Sequence, residues 1–250
     1  MNYLAKRVND IFQQEGGFAL VKRILSYPLK ILFAFYYSAS LKKLPGHIRP
    51  EELIEFAFNS HCNLLQPFQM KEEILKLVSM AADVKPKNVI EIGTLTGGTL
   101  FLLSRVASDE AAIISIDLPH GPFGGGYHFW KIPLFKSFAS KRQKIHLIRS
   151  DSHSAGTLLK VKNILNGAKV DFLYIDGDHT YEGVKKDFEM YSPLVIKGGM
   201  VAFHDIAATP PEPGADVNRF WEEAKRQYRH TEIINNTLQK GCGIGVLFID

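Results

Sequence analysis

Two aspartates and a histidine stand where hydrophobic strands are predicted to end. Asp176 follows the run Val170–Ile175, and His204 with Asp205 closes the run Gly199–His204. Neighbouring strands lie ~4.8 Å apart, so the two carboxylates can converge if these strands pair. Two carboxylates that close repel each other unless a cation or a proton lies between them. We therefore predict a metal site with Asp176, His204 and Asp205 as ligands. Oxygen-rich ligation favours Mg²⁺, with Mn²⁺ as a substitute.

His179 lies three residues after Asp176, on the loop that leaves the same strand. An imidazole there can take a proton from a hydroxyl near neutral pH, because its ordinary pKa is ~6.5. A metal assists this step by lowering the pKa of a coordinated oxygen. The pattern predicts Asp176 and His179 as catalytic residues, and a structural His179 is the alternative. Asp178 is expected to cap the helix that begins near Thr180.

A glycine-rich turn follows the first predicted strand, with the sequence Glu91-Ile92-Gly93-Thr94-Leu95-Thr96-Gly97-Gly98. Glycines let the backbone turn tightly and let a ligand approach without a Cβ in the way. The next helix presents free N–H groups that suit an anionic carboxylate or phosphate. Asp117 ends the second predicted strand, where a carboxylate can accept hydrogen bonds from both hydroxyls of a ribose. The turn and Asp117 together predict a nucleotide site.

Two residues of this turn indicate which nucleotide is bound. The dinucleotide fingerprint G-x-G-x-x-G needs its second glycine for close approach to a pyrophosphate, and Leu95 stands at that position. Glu91 repels a pyrophosphate but suits the cationic amino group of an amino-acid-bearing nucleotide. The sequence therefore favours S-adenosylmethionine (SAM) over NAD.

The elements that position these residues alternate between short β-branched runs and helical segments. Strands separated by helices imply parallel pairing through right-handed crossovers, hence a doubly wound, Rossmann-like α/β sheet. The predicted strands are Asn88–Ile92, Ala112–Ile116, Ile145–Arg149, Val170–Ile175, Gly199–His204, Glu232–Ile234 and Gly243–Phe248, the last two joined by a hairpin-like turn. The predicted helices between and after them are Thr99–Ala107, Ile132–Ala139, Ser154–Leu165, Tyr181–Tyr191 and Val217–Tyr228.

Over about residues 64–248 the chain resembles known methyltransferases. The turn at 91–97 resembles the first motif of metal-dependent O-methyltransferases related to the catechol and caffeoyl-coenzyme A enzymes. The run Ile175-Asp176-Gly177-Asp178-His179-Thr180-Tyr181-Glu182-Gly183-Val184, followed by Asp187, Gly198-Gly199 and His204-Asp205, is more similar to the macrolide-sugar O-methyltransferase and cephalosporin-hydroxylase-like family. This resemblance implies the seven-stranded, mostly parallel fold of class I SAM-dependent methyltransferases.

The resemblance also implies roles for individual residues. Glu91 and Gly93 would lie at the methionine part of SAM, Asp117 at its ribose, and Asp151 and Ser152 at its adenine. The other cofactor-binding residues would be Thr94, Gly97 and Asp176. A helix N-cap is the alternative for Asp151. In the macrolide-sugar relatives an acidic residue usually stands where this chain has His204, which puts the ligand set and the preferred metal in question. The segment 66–69 resembles one that borders the cofactor pocket in the same group.

An insertion at residues 118–130, between the second and third strands, is rich in glycine and aromatic residues. Glycines give hinge freedom, and aromatic faces give a stacking surface for a sugar or a planar ring. We expect this segment to fold over the cofactor and the acceptor as a lid. Similar loops in the sugar-modifying relatives favour a glycan, a glycoconjugate or a small natural product as acceptor. The alternative is a loop that packs on a second subunit of a homo-oligomer.

The positive charge of the chain is concentrated at its N-terminus. The net charge is +4, and residues 1–45 hold seven Lys and Arg against two acidic residues. We predict a basic helical extension over residues 1–60 and a methyltransferase domain over residues 61–250. Aromatic residues flanked by basic pairs predict contact with an anionic membrane surface through residues 18–43, and packing on the domain or on a second subunit is the alternative.

Several functional classes are disfavoured. Because only Cys62 and Cys242 are present and no secretory pattern is evident, a cytoplasmic location is expected, possible membrane contact aside. The near-neutral remainder of the chain lacks the basic stripe of a nucleic-acid-binding enzyme. The alternative to an O-methyltransferase is a protein of the same fold without methyl transfer, either a cephalosporin-hydroxylase-like component or a SAM-binding partner.

Overall fold

The computed structural model describes residues 28–41, 44, 48–140, 142–236 and 238–250. Seven strands form one sheet, and their runs of β-branched and aromatic residues are those that a sheet buried on both faces requires. The strands are β1 (Asn88–Ile92), β2 (Ala112–Asp117), β3 (Lys144–Arg149), β4 (Val170–Ile175), β5 (Val195–His204), β6 (Arg229–Ile233) and β7 (Ile244–Phe248).

The strand order is β3-β2-β1-β4-β5-β7-β6. Strands β1 to β5 are parallel, whereas β7 lies antiparallel between β5 and β6. The order reverses at β1, because the chain proceeds from β1 to β3 on one side and continues with β4 on the other. This confirms the predicted doubly wound, mostly parallel sheet of seven strands. Ligands of such sheets bind at the carboxyl ends of the strands beside the switch point.

Helices cover both faces of the sheet, since alternate residues of each strand point to opposite sides. Thus Val89 belongs to one hydrophobic core and Ile90 to the other. The first core packs against α1 (residues 28–40), α2 (Pro50–Phe58), α3 (Lys71–Val84), α4 (Gly98–Val106) and α5 (Ile132–Lys136). The second packs against α6 (Ala155–Leu165), α7 (Tyr181–Tyr191) and α8 (Val217–Ala224).

Some predicted boundaries differ from the observed ones. Strand β5 begins at Val195 instead of Gly199, because Gly198 continues the strand at a φ of +81° where its register with β4 shifts. Helix α8 ends at Ala224 instead of Tyr228, and α5 ends at Lys136 instead of Ala139. In contrast, β1, β4 and α7 have the predicted bounds.

The described part of the N-terminal extension packs on the first core. Ala34, Tyr37 and Leu41 are buried together with residues of α2 and α3. The opposite face of α1 exposes four large side chains, which are Leu29, Leu32, Phe35 and Tyr36. No helix of the described ranges is both long and apolar enough to span a membrane. Contact of residues 18–43 with a membrane surface remains a prediction, and residues 18–27, 42 and 43 lie outside the described part.

Candidate active site

Four predicted acidic residues lie at the carboxyl edge of four neighbouring strands. Glu91 lies within β1, Asp117 ends β2, and Asp176 and Asp205 directly follow β4 and β5. A cavity of about 500 Å³ opens at this edge. Most of the predicted site residues line it, namely Gly93, Thr94, Asp117, Asp151, Ser152, Asp176, His179, His204 and Asp205. Glu91 and Gly97 do not line the cavity.

The turn after β1 has a conformation that its glycines make possible. Gly93 has a φ of +85°, and a Cβ at this position would lie 1.8 Å from the carbonyl oxygen of Asp176. Gly97 has a φ of +86°, and a Cβ there would lie 2.3 Å from the ring of Phe135. The first glycine therefore lets β1 and β4 end side by side, and the second lets α4 pack against α5.

Glu91 is completely buried under this turn. Its Oε2 accepts a hydrogen bond from Thr94 Oγ1 at 2.7 Å, and Thr94 Oγ1 also lies 2.7 Å from Ser115 Oγ. Its Oε1 has no hydrogen-bond partner. Burial raises the pKa of Glu91 well above its ordinary value, and the carboxylates of Asp117 and Asp176 add to this effect. The carboxyl group of Glu91 thus holds Thr94 in the cavity wall.

Asp117 fixes the loop segments on either side of the cavity. Its Oδ2 accepts hydrogen bonds from the backbone N–H groups of Leu95 at 3.0 Å and Tyr127 at 3.2 Å. Burial raises the pKa of Asp117 to about 6, although these hydrogen bonds oppose the shift. The Asp117 carboxylate also lines the cavity, where a ligand can contact it.

Asp176, His179, His204 and Asp205 form one cluster at the ends of β4 and β5. His204 Nδ1 lies 3.3 Å from Asp176 Oδ1 and 3.5 Å from Asp205 Oδ1. His179 lies between the same carboxylates, with Nε2 3.6 Å from Asp176 Oδ1 and Nδ1 3.6 Å from Asp205 Oδ2. Glu212 Oε1 lies 3.7 Å from His179 Nδ1.

The charges of this cluster are strongly coupled. Burial by itself raises the pKa of Asp176, but the imidazoles of His204 and His179 outweigh it and hold the pKa below its ordinary value. Burial lowers the pKa of both histidines, and the neighbouring carboxylates, above all Asp176, reverse this and raise both. The carboxylates of Asp176 and Asp205 are therefore stabilised by positive charge between them, which a proton or a metal ion can supply.

Two sets of donor atoms in this cluster are close enough to hold one ion. Asp176, His179 and Asp205 form one set, and His204, Asp205 and Cys242 form the other, with the atoms of each set within 4.8 Å of one another. His179 Nδ1 and His204 Nε2 are buried without hydrogen-bond partners. The predicted ligands therefore lie together, but His179 has as good a position for a ligand as His204. Cys242, which sequence reasoning had set aside, joins them through the fold.

Two further residues hold Asp176 in place. Gln69 Nε2 donates to Asp176 Oδ2 at 2.9 Å, while its Oε1 accepts from Thr99 Oγ1 at 3.0 Å. The hydroxyl of Tyr174 donates to the same Oδ2 at 3.4 Å. Sequence reasoning marked the segment 66–69 only as a border of the pocket. No spacing rule links Gln69 to a residue 107 positions later.

The capping role expected for Asp178 is wrong, and so is the capping alternative for Asp151. Asp151 does not cap α6, because its Oδ1 accepts from the backbone N–H of His153 at 2.8 Å and Ser154 is the N-cap residue. Asp178 does not cap α7 directly. The N-cap is Thr180, whose Oγ1 accepts from Gly183 N, and Asp178 Oδ1 accepts from the backbone N–H and the hydroxyl of Thr180.

The aromatic insertion forms part of the cavity wall. Gly121, Pro122, Phe123 and Gly124 line the cavity. The ring of Phe123 stacks on the imidazole of His179 with centroids 4.7 Å apart and an interplanar angle of 22°. The insertion therefore covers the cluster at β4 and β5. Movement of this segment as a lid remains a prediction.

The sheet order, the glycine turn after β1 and the acidic ends of β2, β4 and β5 define the class I methyltransferase fold. Solved structures have the same architecture. An O-methyltransferase from Bacillus cereus in complex with SAH is 18% identical, with a TM-score of 0.53, and the match covers 82% of this chain and 92% of that one. TomG from Streptomyces achromogenes, an O-methyltransferase of tomaymycin synthesis solved with SAM, is also 18% identical, with a TM-score of 0.53 and coverages of 86% and 95%.

Residues 90–206 match the family described as Methyltransferase domain. The solved structures show that the chain has the fold of the class I methyltransferases. The chain is 30% identical over 155 residues to tapetum-specific methyltransferase 1 of Arabidopsis thaliana, and this match covers 61% of each protein. It spans 61%, 15% and 60% of the lengths of three curated relatives.

Proposed function

We propose that this protein is a SAM-dependent O-methyltransferase that uses a divalent metal. The observation that carries the proposal is the cavity at the switch point of the sheet, which is lined by the glycine turn and by acidic residues from the ends of β2, β4 and β5. The SAM- and SAH-bound proteins with the same fold support this placement of the nucleotide.

The residues around the turn fit SAM in charge and in shape. Gly93 and Asp117 both line the cavity, and the Asp117 carboxylate is the acceptor that we assign to the ribose hydroxyls. Because Glu91, Asp117 and Asp176 crowd together, they favour a ligand that brings positive charge, as the amino and sulfonium groups of SAM do. Asp151 and Ser152, at the end of β3, border the side where the adenine would lie.

Asp176, Asp205 and His204 have the chemistry to hold a divalent ion, which leaves His179 to act as a base. His204 Nδ1, which lies 3.3 Å from Asp176 Oδ1 and 3.5 Å from Asp205 Oδ1, supports this fit. Mg²⁺ suits the carboxylates, and Mn²⁺ also suits the nitrogen donors. Such an ion, when bound, lowers the pKa of an acceptor hydroxyl and offsets the charge of the carboxylates.

His179 is the base in this proposal. It takes the proton of the acceptor hydroxyl, and the oxygen then forms a bond to the methyl carbon while the bond from that carbon to sulfur breaks, which leaves S-adenosylhomocysteine (SAH). Asp176 and Asp205 stabilise the imidazolium that results, since both lie 3.6 Å from the ring nitrogens. Phe123 holds the ring in plane by stacking. The acceptor is a hydroxyl of a sugar, a glycoconjugate or a small natural product.

The variant Asp205→Asn tests the metal proposal. Asparagine tolerates the φ of +61° at this position and can still accept from Cys242 N through its side-chain oxygen, so the fold should persist. We expect Mn²⁺ binding and methyl transfer from labelled SAM to extract-derived acceptors to be lost, with SAH affinity nearly unchanged. Asp83→Asn, at an exposed site on α3, is the matched control. Unchanged Mn²⁺ binding in Asp205→Asn would overturn the assignment of Asp205 as a metal ligand, and binding of NAD without SAH would overturn the methyltransferase function.

A further inference from the structure

A second cavity of about 730 Å³ adjoins the active-site cavity. The two share six lining residues, which are Pro67, Phe68, Gln69, Leu95, Thr96 and Gly124. The glycine turn and the segment before α3 therefore form a common wall. A molecule that occupies the second cavity lies beside the bound nucleotide.

The two cavities have opposite charge. Five aspartates line the active-site cavity, which are Asp117, Asp151, Asp176, Asp178 and Asp205. Among the described residues that line the second cavity none is acidic, whereas Lys30 and Lys131 both line it, together with His128. The first cavity suits cationic groups, and the second suits an anion.

Lys131 lies in this cavity without a close ion-pair partner among the described residues. Its Nζ donates to the carbonyl oxygen of Thr96 at 3.3 Å and lies 5.9 Å and 5.7 Å from the ring centroids of Trp130 and Phe135. Across the described ranges no carboxylate forms an ion pair with either lysine. Burial and the charge of Lys30 together lower the pKa of Lys131 to about 8, although the carboxylate of Asp117 opposes the shift. An anion between the two ammonium groups would relieve both effects.

We infer that the second cavity binds a carboxylate or phosphate group of the methyl acceptor between Lys30 and Lys131. The inference rests on the proposed function, and it narrows the acceptor from any hydroxyl compound to an acidic one. Trp130 lines the same cavity, and Phe68, which is 70% exposed, lies where the two cavities join. These rings provide a stacking surface for an apolar or planar acceptor body. Lys30 thereby links the basic N-terminal extension to substrate binding.

A matched pair of probes tests the inference on the full chain loaded with SAH. We would titrate 4-hydroxybenzoate and its neutral analogue 4-hydroxybenzamide into wild type, Lys131→Met and Lys30→Met by calorimetry. Methionine keeps the length of the side chain and removes its charge. Lys197→Met, at an exposed position of β5, is the control. Lys131→Arg restores the charge and shows whether a loss comes from the charge or from misfolding.

The inference requires wild type to bind the acid at least about tenfold more tightly than the amide, and each methionine variant to lose about that factor, with SAH affinity unchanged. Lys131→Arg should recover most of the loss. Equal affinities for acid and amide, or an unchanged acid affinity in both methionine variants, would overturn it. If the methionine variants weakened SAH and left acid binding intact, the anion would be the carboxylate of the nucleotide, which also overturns the acceptor assignment. If the wild type did not bind SAH at all, the result would count against the proposed function instead. The acid titration would then be repeated without SAH, so that the inference is tested separately.

Discussion

Gly93→Ala tests whether the junction of β1 and β4 positions the catalytic cluster. The new Cβ would lie 1.8 Å from the carbonyl oxygen and 2.4 Å from the carbonyl carbon of Asp176. Ordinary contact begins at 3.4 Å, so the backbones must separate by about 1.6 Å. Neither contact is with a flexible side chain, so the strand end carrying Asp176 has to move.

Gly167→Ala is the matched control for this substitution. Gly167 has a φ of +84°, close to the +85° of Gly93, but a Cβ there would meet nothing within 4 Å. Alanine at such a φ costs about 1–2 kcal/mol, partly offset by about 0.4–1 kcal/mol from a less flexible unfolded chain. The control therefore isolates the conformational cost, and the difference between the two variants isolates the steric clash.

We expect Gly93→Ala to lower the free energy of unfolding by about 1–3 kcal/mol more than Gly167→Ala, as other overpacked sites do. Because a displacement of about 1 Å costs about 10²-fold in rate, methyl transfer should fall by at least about 10²-fold in Gly93→Ala and stay unchanged in the control. Urea unfolding, SAH calorimetry and a label-transfer assay measure these effects. Equal stabilities and equal activities of the two variants would refute the positioning role of this junction.

Two further predictions concern the cosubstrate and the metal. Burial raises the pKa of Asp117 to about 6, so protonation below that pH removes the acceptor that the ribose needs. SAH affinity should therefore fall about tenfold per pH unit below 6 in calorimetry, and Asp117→Asn should abolish this dependence. Gln69→Leu removes the amide that donates to Asp176 and should weaken Mn²⁺ binding by about 10–100-fold in an electron paramagnetic resonance titration. Gln227→Leu, at an exposed position, should leave Mn²⁺ binding unchanged.

The sequence contains enough local information to predict most of the sheet. The runs Asn88–Ile92 and Val170–Ile175 become strands with the predicted bounds, since β-branched residues fill each run and both faces are buried. The position of β7 between β5 and β6 is not encoded in this way. It depends on pairing with β5, in which Ala202 lies opposite Val246, and no periodicity in the tail specifies that pairing.

The candidate site also contains residues that the sequence predicts and residues that it does not. Asp117, Asp176 and Asp205 could be predicted to converge, because parallel strands bring their carboxyl ends to one edge of the sheet. Gln69, Cys242 and Lys30 could not, since each reaches its cavity from an element distant in sequence. The sequence also does not show that Thr180, and not Asp178, is the N-cap of α7. Both side chains can accept a hydrogen bond at a helix N-terminus, and only the backbone geometry selects between them.

Under the proposed function, the separation of charge between the two cavities assigns Lys30 of the basic extension to acceptor binding rather than to a membrane surface. Methyl transfer joins a cationic donor to an acceptor oxygen that loses its proton, so the donor side needs acidic residues and an acidic acceptor needs a cation at its far end. The described residues provide this separation across one shared wall, with Asp176 on one side and Lys131 on the other. A neutral acceptor would leave the charges of Lys30 and Lys131 in one cavity without an anion, and their repulsion makes this the less stable arrangement of the two.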